Sequence, residues 1–578
     1  MANLPYMKMK TITIIIRKIY FMKKLILLTL LFSTAIQFHC LYAQELPQLK
    51  HEGNITRLYV DGTPFIMVAG ELHNSTSSNL TYLAPIFPKL KEMGLNTVIA
   101  SVAWEQFEPQ EGKFDYSLID GIISQARENK LKLCIIWFAS WKNGLSTYPP
   151  LWVKKDSKRF FKLKQSNGST GEVISPFCKE AQIADAKAFV QLMKRIKEID
   201  KEHTVVMIQA ENEVGAFQDI DYNKQALDLF NSPVPETLIR YLQTHTNNLS
   251  PEIKYVWQKN GSKTKGTWSE IFADTMKSAQ NFFMTWQYAK YINEICRLGK
   301  KELNLPMYVN AWLVQKATDL PGVYPNGGPA SRVIDIYKAI APDIDLCAPD
   351  IYAPNFKEIL SMYHRSDNPL FIPESTTEQA RAFYAYAEHD AICFSPFGIE
   401  DVYTNLAYRQ AISVINELMP YILKYQGTGK MRGFMRTKNT TADTLVFGED
   451  KVIVEYNNWD NTGYGLVIQT APDEYVVAGI TARLRFESTN PSKKMRIGQV
   501  FEGKFEGEKW VTTRMLNGDE TWHNECLIIT GRKAMISQTL EGQIIPPQPG
   551  PNQPVLESAK NTEVQTPAVY KVVTYEMK

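Results

Sequence analysis

The chain reads as α/β: a (β/α)8 TIM barrel followed by a C-terminal all-β sandwich domain. Three observations carry that prediction. Eight short apolar runs lie between residues 65 and 396, and segments of helical periodicity separate them. Their hydrophobicity is nearly continuous rather than alternating, as expected of strands buried on both faces. From about Arg432 onward the pattern changes to many short strand-like stretches divided by turn residues, as in a sandwich.

In chain order the runs are Phe65–Leu72, Thr97–Trp104, Leu131–Ala139, Val205–Glu213, Met307–Leu313, Ile344–Tyr352, Leu370–Glu374 and Ala391–Pro396. Between them, Asp115–Lys130, Glu180–Asp200 and Trp268–Leu303 have helical spacing; Ile183, Ala186, Val190, Met193 and Ile196 form one such stripe. Between Glu213 and Trp268 lies a long connection with a Pro-started helix at Val234-Pro235-Glu236. A connection of that size above a barrel strand either shapes a cleft or decorates the packing. The sandwich strands run from Thr444–Gly448 to Cys526–Thr530, Pro546–Pro554 is an irregular Pro-rich stretch, and Tyr570–Tyr575 is a returning strand. The domain limits are therefore 44–430 for the barrel and 431–578 for the sandwich.

Residues 1–43 read as a signal peptide: Lys23-Lys24 precede the apolar run Leu25 to Phe32, and Leu41-Tyr42-Ala43 offers a cleavage point. Residues 1–21 are an upstream extension, since Met22 is a natural start. The run is too short to span a membrane. Gln37-Phe38-His39 poorly fits a lipidation signal at Cys40, so a periplasmic or secreted location is expected ahead of a lipid anchor. The remaining six cysteines show no metal-ligand or redox spacing and read as buried thiols. Net charge is only +3, so nothing points to nucleic acid. Oligomeric state is not legible.

Two of the runs end in a carboxylate, Gln209-Ala210-Glu211-Asn212-Glu213 and Phe371-Ile372-Pro373-Glu374. Barrel enzymes carry their chemistry at these C-terminal strand ends. A pair of carboxyls there is what a retaining glycosidase needs, one as acid/base and one as nucleophile, about 5 Å apart. Barrel order assigns Glu213 as acid/base and Glu374 as nucleophile, with Asn212 a donor to the sugar 2-hydroxyl. In an ideal strand Glu211 shares a face with Glu213, and spacing alone does not choose between them. Glu71 and His73 end strand one and suit sugar contact or structural hydrogen bonding equally. Trp104, Trp137, Trp141 and Trp312 lie near strand ends as candidate stacking platforms, and Asn310 and Asp350 as contacts to hydroxyls. The chemistry needs no cofactor and no metal.

The segment Gln209-Ala210-Glu211-Asn212-Glu213-Val214-Gly215 resembles the acid/base motif of glycoside hydrolase family 35, the β-galactosidase family. Val68-Ala69-Gly70-Glu71-Leu72-His73 resembles its first-strand motif. Thr97 through Trp104-Glu105-Gln106-Phe107-Glu108-Pro109 with Gly112-Lys113-Phe114-Asp115 resembles its second, and Trp141-Lys142-Asn143-Gly144 with Pro150-Leu151-Trp152 its third. The resemblance spans about residues 55–400, and the sandwich is similar to an accessory domain in one bacterial branch. It implies Glu213 rather than Glu211 as the acid/base, and Tyr352 as a hydrogen-bond partner of the nucleophile. Asn74-Ser75 after His73, Ser140 where the family has a galactose-binding Glu, and Ser375-Thr376-Thr377 after Glu374 depart from its pattern. The expected activity is that of a retaining exo-β-glycosidase, best read as a β-galactosidase acting on oligo- or polysaccharides. The alternatives are another β-glycosidase, an endo-galactanase, or a catalytically silent glycan-binding protein.

Overall fold

The structure, a computed structural model, describes residues 45–456, 462–536 and 562–577. The expected signal peptide, Cys40 and Pro546–Pro554 lie outside the described residues. From Pro47 onward the described residues form one compact unit.

Each of the eight apolar runs forms a parallel strand: β1 Met67–Glu71, β2 Thr97–Ala103, β3 Lys132–Lys142, β4 Val205–Asn212, β5 Met307–Trp312, β6 Leu346–Ile351, β7 Phe371–Ile372 with Glu374–Ser375, and β8 Cys393–Phe394. The two pieces of β7 stand at opposite ends of the sheet order, so the sheet closes into a barrel. Pro373 divides them because it has no N–H for the ladder. Phe371–Ile372 pairs with β8, and Glu374–Ser375 pairs with β6.

Inward side chains of the strands, among them Met67, Cys134, Met207, Tyr308, Leu346 and Phe371, form a core closed from below by Leu58 and Val60 of the antiparallel hairpin Gln48–Glu52/Ile55–Val60. Each such side chain, fully buried, contributes about 1.5–3 kcal/mol. Outward side chains pack against the helices. Helix Lys179–Ile199 forms as expected, but its buried stripe runs through Asp185, Phe189, Leu192 and Ile196, leaving Ile183 50% exposed. The segment expected as one helix from Trp268 is two, Trp268–Phe272 and Ser278–Glu302. Lys277 between them has φ +57°, and the Asp274 carboxylate accepts the N–H groups of Met276 and Ser278.

From Met431 the strands are antiparallel and form two sheets, one of six strands and one of four, enclosing a separate core that includes Phe434, Val452, Val477, Leu484 and Val572. Strand Ala568–Met577 lies in the middle of the larger sheet, between Glu474–Ile480 and Lys494–Glu506. This sandwich sits against helix Gln379–Glu388, where Glu388 pairs with Arg432 and accepts the Gly433 N–H. The six described cysteines are all buried and unpaired. No described helix is long and apolar enough to cross a membrane.

Candidate active site

β4 ends in a kinked backbone. Glu211 and Glu213 both have left-handed φ, +61° and +43°. Non-glycine residues hold that conformation at a cost of about 1–3 kcal/mol, which surrounding contacts must offset. The contacts are visible. The Glu213 N–H donates to Asn310 Oδ1 at 2.8 Å, and the Gly144 N–H donates to the Glu213 carbonyl at 3.0 Å. The kink also breaks the alternation that would put Glu211 and Glu213 on one face. Glu211 turns instead into a bulge of β3, where its carboxylate accepts the N–H groups of Ser140 (3.1 Å) and Trp141 (2.8 Å). Burial and the adjacent Asp185 carboxylate push its pKa well above the usual range.

Glu374, from the second piece of β7, receives a ring of donors. Asn212 Nδ2 donates to Oε1 at 3.3 Å, Asn310 Nδ2 approaches the same oxygen at 3.4 Å, and the Tyr352 hydroxyl donates to Oε2 at 2.7 Å. Burial and the Glu374 charge hold the Tyr352 phenol well above its ordinary pKa, so it stays a donor. Asn310 also donates to Asp350 at 2.7 Å. One oxygen each of Glu213, Asp350 and Glu374 lies within 4.8 Å of the others. Burial first, and then the Glu374 charge, raise Glu213 to about 7, with Lys142 opposing them. Asp350 is pushed well above the carboxylate range by burial, Glu374 and Glu213. A neutral acid thus faces a hydrogen-bonded carboxylate across a gap, the division of labour that general acid and nucleophile require. Three carboxylates at this spacing could hold a cation. The side chains pointing at Glu374, however, are two amide N–H donors and a phenol, suited to stabilising a carboxylate rather than completing a metal's oxygen shell.

The remaining candidates divide. Asn212, Asn310, Asp350 and Tyr352 gather at Glu374. Glu71 ends β1 beneath the cluster, with both carboxylate oxygens out of solvent and without a hydrogen-bond partner; burial and Glu374 raise its pKa strongly. His73 stands at the rim, half-exposed, donating from Nε2 to Asp401 at 2.8 Å and lying edge-on to Phe397. Trp104 and Trp141 correct the expectation of stacking platforms. Both are fully buried, their indole N–H groups donated to Glu108 and to the Ile174 carbonyl. Trp137 is likewise core, bonded to Asp185. Trp312 alone of these stays partly open, edge-on to Phe217. Ser140 does not face the site either; it donates to Asp185 at 2.6 Å and meets the Tyr291 hydroxyl.

Sequence reasoning passed over three residues. Lys142 ends β3 and donates to Asn212 Oδ1 at 3.0 Å and Asn143 Oδ1 at 2.7 Å, a cation beside the carboxylates. Its signal was there, a lysine closing an eleven-residue apolar strand. Glu400, just past β8, accepts the His73 N–H and the Thr76 hydroxyl and has one buried oxygen without a partner. Phe217, four residues after Glu213, sits 46% exposed on the rim.

With this geometry described, comparison with known proteins places the barrel among sugar-acting enzymes. Residues 80–302 match the model of glycoside hydrolase family 42, described as beta-galactosidase, and residues 408–527 match a domain of unknown function, DUF5597. The matching model is thus that of family 42 and not of family 35, a correction to the resemblance. The chain is 28% identical over 289 residues to a beta-1,2-glucosyltransferase of Ignavibacterium album, covering 45% of this chain and 38% of that protein. It is 29% identical over 117 residues to Beta-galactosidase 11 of Arabidopsis thaliana, covering 18% of this chain and 14% of that one. The chain spans well under half the length of either curated relative. Among solved structures, a beta-galactosidase from Bacillus circulans sp. alkalophilus aligns at 14% identity and TM-score 0.42, over 62% of this chain and 57% of that one. One from Rahnella sp. R3 aligns at 15% and 0.42, over 61% and 56%.

Proposed function

We propose that the protein is an exported retaining β-glycosidase, a β-galactosidase that removes terminal sugars from oligo- or polysaccharides by double displacement. The observation that carries this reading is the pairing of Glu213, raised to about 7, with Glu374, their oxygens within 4.8 Å. Inverting enzymes keep their carboxyls farther apart, at about 6.5–9.5 Å, to seat a water between them. In the first step the Glu374 carboxylate attacks the anomeric carbon and the glycosidic bond breaks. Glu213 gives its proton to the leaving oxygen. In the second step Glu213 takes a proton from water, which attacks the glycosyl–Glu374 ester and releases the sugar with its original β-configuration. Asn212, Asn310 and Tyr352 hold Glu374 in line throughout.

Galactose is the sugar suggested by the description of the matching family, and Ser140 bears on it. Buried against Asp185 and Tyr291, Ser140 cannot do the work of a galactose-binding glutamate. Some other group must hold the sugar. Release of chromophore from a panel of aryl β-glycosides tests the activity, and NMR of the first-formed anomer tests the stereochemistry. Preference for the galactoside with β-product supports the reading, whereas α-product overturns retention. Transfer of the glycosyl group to a sugar hydroxyl in place of water is a second reading, favoured by the name of the glucosyltransferase relative. Oligosaccharide products longer than the substrate would distinguish it.

A further inference from the structure

We infer that Phe217 and Trp312 form the leaving-group side of the site, a platform for the apolar face of a second sugar ring. The natural substrate is then a glycan in which the cleaved sugar is attached to another pyranose. The inference rests on the proposed β-glycosidase chemistry and assigns the half of the substrate which that chemistry leaves open.

The argument starts from the acid. A general acid must lie beside the oxygen that departs, so whatever surrounds Glu213 on the open side of the rim faces the leaving group. Both aromatic residues are tied to Glu213 by short links. Phe217 follows it after the two-residue ladder in which Gly215 and Ala216 pair with Gly327 and Asn326. That turn sets the Phe217 ring against Gly144, where an added Cβ would come within 2.9 Å of the ring; the Gly144 N–H is bonded to the Glu213 carbonyl. Trp312 comes two residues after Asn310 on the same face of β5, and the Asn310 side chain holds the Glu213 N–H.

The two rings meet at 6.0 Å between centroids and 89° between planes, an edge-to-face pair. Single exposed aromatic side chains are commonplace and mean little. Two in mutual contact beside a catalytic acid are a surface with a shape. The Glu374 side is the opposite in character: amide, phenol and carboxyl groups, suited to hydroxyls. A pyranose offers both surfaces, hydroxyls around its edge and C–H groups on its face. The site therefore grips the departing ring by its face.

Phe217→Ala and Trp312→Ala, each alone, test this with two substrates of the same glycone, a β-linked disaccharide and the corresponding glycosyl fluoride. Fluoride leaves without a ring, so it cannot use the platform. Each variant is expected to lose about tenfold in kcat/KM on the disaccharide, the scale of one aromatic contact, with less than about twofold change on the fluoride. Phe217→Tyr, which keeps a ring, should retain disaccharide activity. Equal losses on both substrates, or none on either, would overturn the assignment while leaving the β-glycosidase reading standing. Failure of the unaltered protein to cleave either substrate would overturn both.

Discussion

At the lower ends of the barrel strands, charges come in opposite pairs, whereas at the upper ends acids are crowded against acids. Below, Asp61 accepts from His203 at 2.7 Å and lies 3.4 Å from Lys132, while Asp200 takes Arg127 at 2.8 Å and the N–H groups of Thr204 and Val205. His203 stands two residues before β4, at the end of the strand away from the carboxylates, and bonds to Asp61 there. Above, Glu71, Glu213, Asp350 and Glu374 crowd together, and Lys142 is the cation that opposes the raised pKa of Glu71 and Glu213. The same eight strands feed both ends. The lower end is arranged to satisfy its charges. The upper end retains unfavourable ones, and the resulting raised pKa values keep a carboxyl protonated, which is what general acid catalysis uses.

Breaking the comparison begins with its most demanding residue. Glu374→Ala should lower kcat by about a thousandfold or more, because the covalent step proposed for it disappears. The melting temperature should hold or rise, since one of the crowded charges has gone; activity close to normal would remove Glu374 from the mechanism. Tyr352→Phe takes one donor from the nucleophile and should reduce kcat about ten- to a hundredfold, with KM little changed. An effect on KM alone would make Tyr352 a sugar contact instead.

The pH profile sharpens the contrast. Glu213 must carry a proton to act as acid, so kcat/KM should fall as pH rises through about 7. Lys142 lowers that value by its charge, so Lys142→Met should move the alkaline limb to higher pH. Movement the other way would mean that Lys142 is not coupled to the acid. Glu211 provides a stability counterpart. Its folded pKa lies above the unfolded one, so its contribution is complete below the ordinary carboxylate range and is lost as pH rises toward the folded value. Glu211→Gln should therefore flatten the decline in melting temperature as pH rises above the ordinary carboxylate range. An unchanged slope would show that the buried Glu211 carboxyl is not the source. The smallest effect belongs to the lower end. Asp61→Asn, which tolerates the same φ of +52°, should cost about 1 kcal/mol or less with activity untouched.

The barrel was legible because a strand buried on both faces has a recognisable composition, and all eight runs carry it. Helix limits were less so. Nothing in the apolar spacing of Trp268–Leu303 announces the left-handed residue at Lys277 that divides it. Within the site, position served better than residue type. Glu213 and Glu374 were visible as carboxylates where apolar runs stop. Tryptophan identity alone could not separate Trp104 and Trp141, which fill core volume, from Trp312, which does not. Glu211 and Glu213 were inseparable by alternation because alternation presumes extended backbone, and both residues leave it. Phe217 lay in a connection read by its length, and that connection does two jobs. Its first residues shape the rim, while Leu238, Leu242, Ile253 and Trp257 from its helices join the main core.

The placement of strand Ala568–Met577 between two strands made much earlier in the chain has a consequence for biosynthesis. Until Ala568–Met577 has been made, Glu474–Ile480 and Lys494–Glu506 lack the strand that joins them, and each keeps an edge of N–H and C=O groups without its partner. Such edges recruit strands from other nascent chains until the right one arrives. Ten residues thus determine when the sheet becomes continuous. A chain released before Ala568 would carry two open edges, a surface that chaperones and aggregates both bind.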